Sequence, residues 1–252
     1  MAHRLVPSGA CVVTYAAIGS LGPAGQGITP GIDLDAVTPA NIGTRPAATA
    51  LGPLLNRVAG LSEADGAPPA GMVDLDRVVV GGHSAGGTAA LHTCDPGWVP
   101  GLRAVFAYGA HTMTATALGH GEAAVVAIPA KVPVMLLGGD RDGVIAASRD
   151  RYGRGDGAHD PLRRTFEEAI GHRRGDSWLV ELAGAGHFAI CHPVDTTSGR
   201  AFLEPGGGAD PTVRALLGDL IAAFVAASVG PAGGAGLEDL VANELVAHWS
   251  RR

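Results

Sequence analysis

The sequence predicts an α/β domain, with a mostly parallel sheet flanked by helices on both faces. Three observations predict it. Short apolar runs rich in Val, Leu and Ile recur along the chain without strict alternation, the pattern of strands buried on both faces. Helical signals fall between them, as crossovers between parallel strands require. The chain has 252 residues, 46% of them apolar, with mean hydropathy +0.22, which suffices for one large core.

Five runs read as strands: Ala10 to Ala17, Arg77 to Gly81, Leu102 to Tyr108, Val132 to Gly138 and Ser177 to Ala183. Each is bounded by Gly or Pro or by short polar stretches, which stop a strand. Pro46 opens a helical stretch through Leu51, Leu54, Leu55 and Val58 that should end at Gly60. Asp160-Pro161 and Asp210-Pro211 each supply an N-cap acid with proline at the first helical position. After the second, Val213, Leu216, Leu217, Leu220, Ile221, Phe224 and Val225 recur at helical spacing. Gly19 to Gly43 and His192 to Gly208 are long and rich in Gly or Pro, and loops of that length tend to be functional. The expected organisation is a domain over residues 1–229, a Gly-rich linker over 230–236 and an amphipathic helix over 237–252. Leu237, Leu240, Val241, Leu245 and Trp249 form the apolar stripe of that last helix.

Net charge is −6, and Lys131 is the sole lysine. No basic cluster longer than a pair occurs, so nucleic acid is not an expected partner. No apolar run approaches the ~20 residues of a membrane span. His3 and Arg4 before Ala10 to Ile18 faintly resemble a signal peptide, but Pro7, Ser8 and Gly9 interrupt it. A cytoplasmic location is therefore expected ahead of secretion. Cys11, Cys94 and Cys191 are too scattered for a disulfide framework or a zinc site.

The strongest chemical signal is Val78-Val79-Val80-Gly81-Gly82-His83-Ser84-Ala85-Gly86-Gly87. It contains Gly82-x-Ser84-x-Gly86, the pattern of a tight strand-to-helix turn that exposes a serine hydroxyl. With 39 glycines in the chain, about 0.2 such matches arise by chance. The β-branched run before it and the helix-compatible Thr88 to Leu91 after it give the match its context. A phosphate-binding loop would need a lysine beside the serine or threonine, and Lys131 lies far away.

A serine hydroxyl needs a base, and the base needs an orienting acid. Asp140 and Asp142 both follow the run Val132 to Gly138, at the strand end where α/β sheets place working groups. Asp142 is favoured because Gly143-Val144 suits a turn that sends its carboxylate back toward the sheet. His187, on the small-residue loop after the last predicted strand, is the base candidate among ten histidines.

The stretch from about Ala10 to Val229 resembles the α/β-hydrolase superfamily, closest to its dienelactone-hydrolase-like and chlorophyllase-like esterases. The resemblance rests on Gly-His-Ser-Ala-Gly-Gly at 82–87, Gly-Gly-Asp-Arg-Asp-Gly-Val at 138–144 and Gly-His-Phe at 186–188. Arg45-Pro46 and the lead-in from Asp74 to Arg77 also fit. It implies Ser84 as nucleophile, Asp142 as acid and His187 as base, with the Ala85 N–H as one oxyanion donor. In that family, two or three strands and an oxyanion loop come before the strand that Ala10 to Ala17 resembles. Only nine residues precede it here, so the fold is expected to be N-terminally shortened. The second donor is then left to Gly19 to Gly25, to another chain, or to nothing.

His111 and Met113, just after the third predicted strand, are expected at the rim where substrate would sit. Asp33-x-Asp35 and Asp74-x-Asp76 read as solvated turns, since they lack calcium-loop spacing. No metal and no cofactor is implied, and Cys191 reads as a buried filler. The expected function is a serine hydrolase acting on a small-molecule carboxylic ester. A thioesterase or acyltransferase would use the same triad, and an impaired hydrolase-fold binding module is the alternative from another class. An open edge beside the first strand would invite a homodimer.

Overall fold

The computed structural model describes residues 2–15, 32–64, 66, 70–114, 116–148, 160–171, 174–193, 210–230 and 236–252. Its centre is a five-stranded sheet in the order β1-β2-β3-β4-β5, with β1 Val78–His83, β2 Leu102–Tyr108, β3 Val134–Gly139, β4 Trp178–Leu182 and β5 Val246–Arg251. The first four strands run parallel, and β5 closes the edge antiparallel to β4. Four of the strands predicted from sequence are therefore present, each within two residues at either end.

The helices are α1 Ala2–Leu5, α2 Leu51–Glu63, α3 Ala85–Leu91, α4 Gly143–Ser148, α5 Pro161–Arg164, α6 Pro211–Val229 and α7 Leu237–Val241. Successive side chains of a strand go to opposite faces, and both faces are covered. Val105, Ala107, Val134, Leu136 and Leu179 pack with Leu51 of α2, Leu91 of α3 and Leu162 of α5. On the other face Tyr108, Met135, Leu137, Val180 and Leu182 pack against α1, α6 and α7. Both predicted caps form: Asp160 accepts from Leu162 N at 2.9 Å, and Asp210 from Thr212 N at 2.7 Å. By length and composition α6 could cross a membrane, with mean hydropathy 1.7 over its 18-residue window. Here Leu217, Leu220, Ile221 and Phe224 of that helix are buried in the core.

The structure departs from the sequence reading in three places. Residues 10–15 form no strand, although Ala10 and Val12 pack on the core beside Val79 and Phe106. An apolar run becomes a strand only when its backbone finds a neighbour to pair with. Ala16 and Ala17 of that run, residues 19–31 and 194–208 of the two expected loops and residues 231–235 of the expected linker lie outside the described residues. Among the described residues β1 therefore has β2 on one side and no strand on the other.

The second departure is the chain's end. The expected helix over 237–252 is helical only as far as Val241, and Val246–Arg251 joins the sheet as β5. The helical stripe is overridden by pairing with β4, which supplies backbone partners all along the segment. Ser177 and Arg252 exchange both backbone hydrogen bonds, at 3.1 and 3.0 Å. The Trp249 ring lies 5.9 Å from that of Trp178, and the Arg251 guanidinium sits 4.6 Å from the Trp178 ring centre. Val246–Arg251 thus belongs to the same sheet as the rest, preceded by the short α7, and no single helix runs from 237 to 252.

The third is α2, which starts at Leu51 and continues through Gly60 to Glu63. Pro46 stands outside it because Ala48 is held in a bridge to Ile32. The two Asp-x-Asp turns carry arginine partners: Arg45 reaches Asp33 and Asp35 at 3.1 and 2.5 Å, and Arg77 reaches Asp74 at 2.5 Å.

Candidate active site

Strands β1, β3 and β4 end at the same edge of the sheet, and each delivers one residue there. Ser84 follows β1 directly and precedes α3, with φ +54° and ψ −123°. A non-glycine residue in that region carries backbone strain that the surrounding structure must hold in place. The holding contacts are visible. Ser84 N donates to Tyr108 O at 2.9 Å, and Thr88 N donates to Ser84 O at 3.0 Å. A Cβ on Gly82 would lie 2.2 Å from the Gly86 carbonyl oxygen, so no side chain fits there. Gly86 itself is open, with nothing within 4 Å of such a Cβ. Gly87 is the second position that must stay bare, since its Cβ would come within 2.6 Å of Ala110 Cβ. The turn therefore depends on Gly82 and Gly87 rather than on the motif's Gly82 and Gly86, because Gly86 faces outward in the first turn of α3.

His187 lies on the loop after β4, and its ring bridges the other two residues. Nε2 is 2.9 Å from Ser84 Oγ, and Nδ1 is 2.8 Å from Asp142 Oδ2. His187 is 2% exposed and Asp142 8%, while Ser84 is half-buried and reachable. Only the hydroxyl end of the row meets solvent. Asp142 is fixed by its second oxygen, which accepts from Ile145 N at 2.8 Å and so caps α4. Gly109 packs against this pair with φ +57°, and a Cβ there would lie 2.9 Å from His187 Nδ1 and 3.1 Å from Asp142 Oδ2.

Asp140 is engaged elsewhere. Its Oδ1 accepts from Gly184 N at 2.7 Å, tying the loop after β3 to the loop after β4. Of the two carboxylates left in competition by the sequence, the structure places Asp142 against His187. Ala85 N–H opens α3 beside Ser84, and the first N–H groups of a helix have no intrahelical partner. Gly19 to Gly25, considered above as the second donor, lie outside the described residues.

His111 and Met113 follow β2 and are buried, at 8% and 7% exposure. Thr88 Oγ1 donates to the His111 carbonyl at 3.0 Å, which fixes this segment against α3. A cavity of about 240 Å³ lies on the acid's side of the row, lined among others by Gly109, Gly138, Asp140, Asp142, Arg163 and Glu181. Neither Ser84, His187, His111 nor Met113 lines it. Among the described residues, no group of three or more His, Cys, Asp or Glu side chains could hold a metal ion. Burial raises the Cys191 thiol above its ordinary range.

Two residues of this region were not singled out in the sequence. His83 Nε2 is 2.8 Å from the His187 carbonyl oxygen, and Tyr108 Oη donates to Gly186 O at 2.6 Å. The available signal was positional. His83 precedes the serine, and Tyr108 ends the predicted strand beside it.

Three histidines here and under α3 are held neutral. Burial pushes His83, His92 and His111 each down to about 4, with the His187 ring adding to the effect at His83. In the unfolded chain the same rings take up protons near pH 6.5. Between those values the unfolded state binds more protons, so stability falls as pH drops through the window. The expected loss reaches about 3 kcal/mol per ring by pH 4. Urea unfolding at about pH 7, 5.5 and 4.5 at fixed ionic strength checks this, and a constant unfolding free energy would contradict it.

The fold and the site thus define a mostly parallel α/β protein with a Ser–His–Asp row at the carboxyl ends of three strands. Compared with known proteins, the sequence matches no family model and no curated protein.

Proposed function

We propose that the protein is a serine hydrolase of the α/β-hydrolase type that cleaves a carboxylic ester. The observation that carries this reading is the unbroken row from Ser84 Oγ through the His187 ring to Asp142, at 2.9 and 2.8 Å. The chain order Ser84, Asp142, His187 agrees with that fold and differs from the two common protease orders. The strained backbone at Ser84 supports it too, as the nucleophile of such a turn is held in that way.

In this reading Ser84 Oγ attacks the ester carbonyl while His187 Nε2 takes its proton. Asp142 holds the ring with its N–H on Nδ1 and stabilises the imidazolium that forms. The Ala85 N–H donates to the developing oxyanion. The imidazolium then gives its proton to the departing alkoxide, leaving an acyl group on Ser84. Water, deprotonated by His187, releases the acid. A thiol ester would form the same acyl-enzyme, and an acceptor other than water would make the reaction an acyl transfer.

A hydrolase-fold binding module without turnover is the second reading. It draws on residues 10–15, which form no strand, and on the side of β1 that has no strand among the described residues. A fluorophosphonate probe with a short p-nitrophenyl ester assay separates the two. The hydrolase reading expects labelling at Ser84 and turnover. A folded protein that takes no label and releases no nitrophenol would establish the module instead.

A further inference from the structure

His83 and Tyr108 are register partners, the last residues of β1 and β2. Their side chains reach two successive carbonyls of the loop that carries His187, at 2.8 Å to residue 187 and 2.6 Å to residue 186. A carbonyl oxygen can only accept, so the His83 proton sits on Nε2 and the ring donates. That leaves Nδ1 as an acceptor, and Cys191 Sγ lies 3.8 Å from it. The neutral ring this needs is the form burial enforces. The His83 and His187 ring centres are 4.7 Å apart, so the two imidazoles also pack on each other.

The loop they hold is Ala183-Gly184-Ala185-Gly186, whose side chains are too small to anchor it. The ring of His187 must nevertheless keep two hydrogen bonds at once, one to each neighbour in the row. A displacement of its backbone by 1 Å would cost one of them. We propose that His83 and Tyr108 are positioning residues for the base: together they clamp the 186–187 backbone so that His187 Nε2 stays at Ser84 Oγ. Since His83 adjoins Ser84 in the chain, the clamp ties the serine's own backbone to that of the histidine. Gly109 closes on the pair from β2's end, leaving no slack on that side.

The proposal rests on the serine-hydrolase reading, and the test keeps the two apart. The readout is fluorophosphonate labelling of Ser84, measured as maximal rate and half-saturating concentration, with thermal unfolding midpoints alongside. Tyr108→Phe removes one oxygen, and Gly186 O still accepts from Ala189 N at 3.2 Å, so this variant folds. His83→Phe keeps a ring but loses the donor, while His83→Gln restores an N–H at similar reach. Misplacing a reacting group by about 1 Å costs up to about 10²-fold. Both Phe variants should therefore label about 10- to 100-fold more slowly at saturation, with the half-saturating concentration unchanged. His83→Gln should recover most of the rate. Wild-type labelling rates in Tyr108→Phe and His83→Phe would overturn the clamp, as would His83→Gln as slow as His83→Phe. Should His83→Phe fail to fold, Tyr108→Phe alone decides. An unlabelled wild-type protein would instead remove the hydrolase reading and the clamp with it.

Discussion

Ser84→Ala is expected to abolish ester turnover and fluorophosphonate labelling while leaving the fold intact. In a Ser–His–Asp row, loss of the nucleophile typically lowers kcat by about 10⁴–10⁶. The fold should survive because Ser84 Oγ contributes one hydrogen bond, to His187 Nε2, while the turn is held by backbone contacts to Tyr108 and Thr88. Alanine keeps the Cβ and therefore keeps the strain at φ +54°. Ser84→Gly gives the complementary expectation, equal loss of activity with a gain of about 1 kcal/mol in stability as the strained residue relaxes. Activity assays and urea unfolding of both variants check this pair. More than a tenth of wild-type turnover in Ser84→Ala would refute the assignment of the nucleophile.

Asp142→Asn should be nearly as damaging, and Asp140→Asn close to silent. An amide at position 142 can keep its oxygen toward Ile145 N, but then its NH₂ faces His187 Nδ1. The imidazole must turn Nδ1 into an acceptor, which moves the proton to Nε2 and leaves no base for Ser84. That wrong tautomer costs about 10⁴ in kcat. At position 140 the same substitution retains an oxygen for Gly184 N, so the link between the two loops survives. The expected effect there is within about tenfold, because Asp140 touches the base only through that loop. Equal pH 7 activities for the two variants, or a worse loss at 140, would show that the acid is misassigned.

Much of the site was legible because its chemistry is local. The glycines around Ser84, the β-branched run before it and the acid-rich end of β3 lie in continuous stretches, where period and turn residues speak directly. Between Asp140 and Asp142 the preference rests on a two-residue turn, and in the structure one oxygen of Asp142 caps α4 while the other lies against His187. His187 was separated from nine other histidines by its place after the last predicted strand alone.

What needed the folded chain are the contacts between segments distant in sequence. Leu237, Leu240, Val241, Leu245 and Trp249 are spaced to suit one helix, yet Val246–Arg251 is a strand because β4 offers a full row of backbone partners and Trp178 receives Trp249. Ala10 to Tyr15 shows the reverse case: it pairs with no strand among the described residues, and only Ala10 and Val12 pack on the core. Gly87 and Gly109 look like any other glycine of the 39 in the sequence until Ala110, His187 and Asp142 close around them. His83 and Tyr108 likewise acquire their partners, 104 and 78 residues away, only once β1 and β2 lie side by side. The sequence by itself determined the four parallel strands, the long helix α6 and which residue types could form the row. Tertiary structure decided which backbones pair and which side chains meet, since hydrogen-bond partners and close contacts are properties of neighbours in space.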